Sequence, residues 1–155
     1  MNKNTQGHMD TIDLNLRLSP HFTLREFTLS GTAIAHNIGN TPHKEHVERL
    51  KALCENVLEP LRRRFGVIRI TSGYRCAELN ARVGGSPASQ HMRGEAADIN
   101  VSGKSGAMKM AAYIRDNLPF DQLLIESRAK DSVFWLHVSY RSDGKNRHEC
   151  GRIMK

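Results

Sequence analysis

Ser89-Gln90-His91-Met92-Arg93-Gly94-Glu95-Ala96-Ala97-Asp98, followed further on by Trp135-Leu136-His137-Val138-Ser139, is the pair of stretches from which the rest of the chain can be read. Ala97 to Val101 has the pattern of a short strand, with Asp98 and Asn100 on one face and Ile99 and Val101 on the other. His91 sits in a Ser/Pro/Gly loop from Ser86 to Gly94. The six residues between it and Asp98 are enough to turn the chain and bring both side chains to one point. Gly94, Ala96 and Ala97 keep that turn free of bulk. In the second stretch His137 shares a strand face with Val133, Trp135 and Ser139, while Phe134, Leu136, Val138 and Tyr140 make an apolar opposite face. A single histidine in a strand is more often a hydrogen-bonded structural residue than a ligand. Two imidazoles and a carboxylate together would instead make a three-ligand zinc site with its fourth position open, the form that catalytic rather than structural zinc takes.

Working outward, Thr23 followed by Glu26, with Phe22 and Phe27 at the two ends, predicts a capping box and hydrophobic staple at a short helix start. Ordered structure is expected to begin near His21. Ser30 to Asn40 is turn-rich and reads as an ordered loop, and Thr41-Pro42 restarts a helix with proline at its first position. Val47, Leu50, Cys54, Val57, Leu58 and Leu61 then recur at helical steps, so a long amphipathic helix is predicted, kinked or restarted at Pro60. Gly66 ends it, and Val67 to Thr71 reads as a strand. A short helix spans Ala77 to Val83, and another runs from about Ser105 to Leu118. Asp121 to Glu126 and Val133 to Tyr140 are predicted as an antiparallel hairpin. Helices followed by mixed strands give an α+β class: one domain with a small, mostly antiparallel sheet flanked by helices. The expected organisation is a flexible segment at 1–18, the domain at 19–143 and a basic tail at 144–155.

With 155 residues, 39% hydrophobic and 25% charged, one soluble domain is the default. At this length roughly 70% of the unfolded surface can be buried, so a single core suffices and a monomer is expected. Cys54, Cys76 and Cys150 are odd in number and lack CxxC spacing, which argues against a disulfide framework or a four-cysteine zinc module. No apolar run approaches the roughly 20 residues of a membrane span. MNKNTQGHMD carries no apolar region after its one lysine, so no export address is expected. The net charge of +7 permits nucleic acid, an anionic membrane or an anionic wall polymer as partner. The aromatics fall in apolar patterns and do not interleave with the basic residues as a stacking platform would, so specific nucleic-acid binding is not expected.

The SxHxxGxAxD run, preceded by Ser72-Gly73-Tyr74-Arg75 and followed by the Trp-x-His strand, resembles the zinc D-alanyl-D-alanine carboxypeptidases. That superfamily includes the vancomycin-resistance D,D-dipeptidases and phage L-alanyl-D-glutamate endolysins. The likeness extends from about Phe22 to Tyr140, through FTLREF, SGTA, NARVGG and FDQLLIE, and is nearest to the small single-domain branch of phages and mobile elements. It implies a hedgehog/D,D-peptidase-like fold, a Zn2+ cofactor and a bacterial peptidoglycan peptide as substrate. His91, Asp98 and His137 would be the zinc ligands. Arg75 would bind substrate and stabilise the developing oxyanion, a role suited to the fixed fork of guanidinium donors. Ser89 is read either as a substrate contact or as a loop cap, and Tyr74 either as a cleft wall or as core.

The general base departs from the family pattern. Many relatives carry an acid three positions before the last histidine, and here that position is Phe134, which cannot move a proton. Glu126 is the best substitute: on an antiparallel partner strand, 126 and 137 can lie nearly opposite on one face. Asp121 is the second choice. The expected function is a zinc peptidase, either a D,D-carboxypeptidase or a murein endopeptidase. It would be made in the cytoplasm and act at the wall after release or export. The alternative is a zinc-containing wall-binding module that has lost catalysis.

Overall fold

Thr23 starts its helix as the local spacing predicts. In the computed structural model, which describes residues 12–155, the Thr23 amide and hydroxyl both donate to Glu26 Oε2, at 2.8 and 3.3 Å. The Phe22 and Phe27 rings meet at 6.1 Å. Strands β1 (Arg17–Ser19) and β2 (Phe22–Thr23) form a small antiparallel pair ahead of helix α1 (Leu24–Thr28). Order therefore begins before His21: Leu18 is inside the core, Ile12 and Leu14 pack against it, and the boundary expected at 18/19 falls within β1. The turn-rich segment expected as a loop contains a one-turn helix, α2 (Gly31–Ala35), because Ser30 Oγ accepts the Ala33 amide and caps it.

The long amphipathic helix starts later than Pro42, at α3 (Lys44–Leu53). It restarts at Pro60, as expected. A π-helical turn (Cys54–Leu58) leads directly into α4 (Glu59–Phe65). The Glu59 amide reaches back to the carbonyl of Cys54, so the widened turn absorbs the donor that proline cannot supply. Val47, Leu50, Leu53, Cys54, Val57, Leu58 and Leu61 all bury on one side, and Gly66, at φ +85°, ends the run.

The remaining elements build and cover one sheet. They are β3 (Ile70–Ser72), α5 (Ala77–Arg82), a 3₁₀ turn (Gln90–Arg93), β4 (Ala96–Asn100), α6 (Gly103–Asn117), β5 (Gln122–Arg128), β6 (Val133–Ser139) and β7 (Glu149–Met154). The strand order is β3-β4-β6-β5-β7. Leu136 and Val138 of β6, Ile99 of β4 and Leu123 of β5 join Ala107, Ala111 and Ile114 of α6 in the core. The predicted hairpin is present as β5 and β6.

The fold is α+β as expected, but the sheet is mixed: β7 runs parallel to β5 while the other pairings are antiparallel. The cause is the anchor before β7. The buried Asp121 carboxylate accepts the Arg147 backbone amide at 2.9 Å and its guanidinium at 3.0 and 2.8 Å, and the Glu149 amide donates to the Asp121 carbonyl. The chain is thus fastened at the start of β5 and must follow it in the same direction. The segment expected as a basic tail is an exposed edge strand. Among the described residues, no helix is long and apolar enough to cross a membrane.

Candidate functional site

Strands β4 and β6 pair so that Asp98 lies directly opposite His137. Their side chains meet on the face away from the core, His137 Nδ1 standing 3.1 Å from Asp98 Oδ1. The 3₁₀ turn brings His91 Nε2 to 3.4 Å from the same oxygen, and the two imidazoles lie 5.1 Å apart, edge to face. One ligand atom from each of the three residues falls within 4.8 Å of the others.

This convergence is held from behind. His91 Nδ1 lies 2.7 Å from the Gly73 carbonyl. A carbonyl only accepts, so Nδ1 carries the proton and Nε2 presents its lone pair toward Asp98. The Arg75 amide in turn donates to the His91 carbonyl at 3.1 Å, so the Ser72–Arg75 turn grips His91 twice. Gly73 is required there, because a Cβ would sit 2.6 Å from the Phe27 backbone. Gly94 ends the 3₁₀ turn at φ +78°, and a Cβ on it would stand 2.5 Å from the His46 carbonyl oxygen. Burial alone would push the Asp98 carboxyl up. The His137 and His91 rings that face its Oδ1 outweigh that effect and hold the group far below the usual carboxylate range, in the ionised form that a ligand requires. The His91 Nε2 lone pair, the His137 imidazole and an anionic oxygen between them are a donor set that fits a divalent cation.

Residues 20–139 match the model of the Peptidase M15 family. The chain belongs to that family. Comparison with curated proteins gives no match. M15 peptidases are metal-dependent, and the cluster supplies the ligand set that such an enzyme needs.

Around the His91–Asp98–His137 cluster of this M15 family member the other predicted residues are placed unequally. Glu126 is on the right face but at a different register. Leu124, not Glu126, is opposite His137, and Glu126 is opposite Trp135. The two-residue offset preserves the face, and Glu126 Oε2 comes within 3.9 Å of His137 Nδ1 although the side chain is almost fully buried. Asp121 does not join them: both its oxygens are taken by Arg147 and Gln90. Phe134 packs against the core.

Arg75 lines the open cleft, of about 760 Å³, beside Asp98, Trp135 and Arg69. Burial pulls its guanidinium down from the ordinary value while the Asp98 and Glu126 carboxylates pull it back up. Its Nε is buried without a hydrogen-bond partner among the described residues, a donor left for a ligand. Ser89 Oγ accepts the His91 amide at 3.2 Å, capping the turn that carries the ligand. Tyr74 is buried in the core with its ring 4.8 Å from that of His46, and it also lines the cleft.

Three supports escaped the sequence reading. Asn40 donates to the Thr28 and Tyr74 carbonyls and accepts the Cys76 amide, clamping both sides of Arg75. Gln90 ties the 3₁₀ turn to Asp121 at 3.0 Å. Lys155 reaches Glu126 from beyond the family match. Only Asn40, in a turn-rich stretch, carried a local signal.

Proposed function

We propose that the chain is a zinc peptidase that hydrolyses peptide bonds of bacterial peptidoglycan involving a D-amino acid, as a D,D-carboxypeptidase or murein endopeptidase. The observation that carries this reading is the set of His91, Asp98 and His137 atoms gathered within 4.8 Å of one another, with Asp98 and the unsatisfied guanidinium donor of Arg75 lining an open cleft and the buried Glu126 carboxylate beside His137. Three N/O ligands with access from one side are the pattern of catalytic zinc. Bound there, zinc would supply a Lewis acid that polarises a carbonyl and lowers the pKa of water to about 7.

The chain's own residues provide the rest. Glu126 Oε2 takes the proton of the attacking water and returns it to the leaving amine. Arg75 donates to the substrate oxygen as it gains charge, or to a substrate carboxylate. Ser89 holds the His91 turn. Arg69, Arg75 and Arg128 around the cleft favour a peptide bearing carboxylates. Its place of action on this reading is the wall, reached after release or export.

The test is incubation of the zinc-loaded protein with purified murein and with defined muropeptides, followed by analysis of released fragments. Cleavage at a bond flanked by a D-residue, stopped by a chelator, is the expected outcome. Co-sedimentation with murein without any released fragment would replace this reading with the wall-binding module.

A further inference from the structure

Lys155 lies outside the family-matched segment and touches the acid at the site. We infer that Lys155 is a positioning residue for Glu126, and that the β7 edge strand is the device by which this chain orients that carboxylate. This rests on the reading of Glu126 as the proton-transfer group.

The geometry has three parts. Lys155 Nζ stands 2.8 Å from Glu126 Oε1, while the other oxygen, Oε2, points toward His137. The two carboxylate oxygens therefore have separate partners, and the cation on one side fixes which oxygen is left for chemistry. The Lys155 main chain is itself pinned beyond the end of β7. Its amide donates to the Ser127 carbonyl at 2.7 Å and its carbonyl accepts the Ala129 amide at 2.9 Å. The ammonium also lies 5.8 Å from the ring centroid of Trp135, the residue directly across from Glu126.

Neighbouring cations do not duplicate this. Arg128 also approaches Trp135, at 5.9 Å, but its guanidinium is forked onto Asp131. Arg75 feels the charge of Glu126, as it does that of Asp98, but makes no ion pair with it among the described residues. The Lys155 contact is close in distance but not aligned as a hydrogen bond, since Oε1 has no hydrogen-bond partner. With the lysine side chain more than half exposed, such a pair adds little stability. Its consequence is orientation.

The experiment compares the full chain with Lys155→Met and Lys155→Arg, each zinc-loaded to equal metal content, on a defined muropeptide. Lys155→Met should lower kcat about tenfold, a fraction of what general acid–base catalysis contributes, with KM within about twofold. Lys155→Arg should restore most of it. An activity-independent readout is the 13C resonance of the Glu126 carboxyl, assigned by its loss in Glu126→Gln. It should move in Lys155→Met and return in Lys155→Arg. An unchanged kcat with an unmoved resonance would overturn the inference, as would a raised KM at constant kcat, which would make Lys155 a substrate contact. If the resonance moves but the wild-type protein cleaves no muropeptide, the pairing stands and the peptidase reading fails.

Discussion

The centre of the sheet and its edge hold their polar groups by different means. On β4 and β6, Asp98 and His137 are partners in one backbone register, and His91 is gripped through its ring and its carbonyl by the Ser72–Arg75 turn. Shifting any one ligand there means moving a paired strand or a packed turn. At the β5–β7 edge, Glu126 reaches the cluster diagonally, its carboxylate bracketed by Lys155 and His137, and β7 itself is solvent-exposed. The centre lies within the family-matched segment and β7 lies outside it. On the proposed function, metal retention would thus be a property of the backbone framework, whereas proton transfer would depend on side-chain placement that can be lost on its own.

The largest expected effect breaks the centre. His137→Ala or His91→Ala should reduce bound zinc from one equivalent toward none, measured by metal analysis after desalting. Losing the several kcal/mol that a metal contributes to charge stabilisation lowers turnover by roughly a thousandfold or more. Glu126→Gln separates the two regions. It should keep zinc at full occupancy while turnover falls by about 10²–10⁴, the range for a lost general base. Turnover that survived this substitution would move the base elsewhere. Loss of zinc from the same variant would erase the division between centre and edge.

Gly94→Ala tests how far the turn, and not the ligand chemistry, holds the centre. A left-handed φ and a Cβ pressed against the His46 carbonyl together should cost roughly 2–5 kcal/mol, read by denaturant unfolding of the metal-free protein. Zinc affinity should fall with it, because the strained turn carries His91. Unfolding at unchanged denaturant concentration would mean that the turn is not rigidly held.

How much of this was legible follows the same division. His91, Asp98 and His137 could be read because strand alternation and a short glycine-containing turn are local properties, and local rules bring those side chains to one face. Glu126 was readable as to face but not as to register. β5 continues to Arg128, and the reversal is completed at Ser132, at φ +57°, so the pairing slides by two residues without changing side. The sheet's mixed character was not readable, because it is set by Asp121 receiving Arg147 across a long sequence separation. The same holds for Lys155: nothing near it in sequence announces Glu126. Pro60 was readable as a helix restart, but not the π-helical turn that leads into it.

Ser89 gives the smallest and most discriminating measurement, because its two readings fall on opposite sides of the comparison. Its hydroxyl accepts the His91 amide at 3.2 Å, as a cap does, and removing such a cap costs about 1 kcal/mol. For a chain of this size that corresponds to a fall in Tm of about 2–4 °C. If capping is its role, Ser89→Ala should lower the Tm of the metal-free protein by that amount and weaken zinc binding slightly through His91, while KM for a muropeptide stays where it was. A rise in KM with Tm unchanged would move Ser89 from the framework to the cleft wall. The turn before His91 would then belong, at least at its first residue, to substrate recognition and not to metal retention.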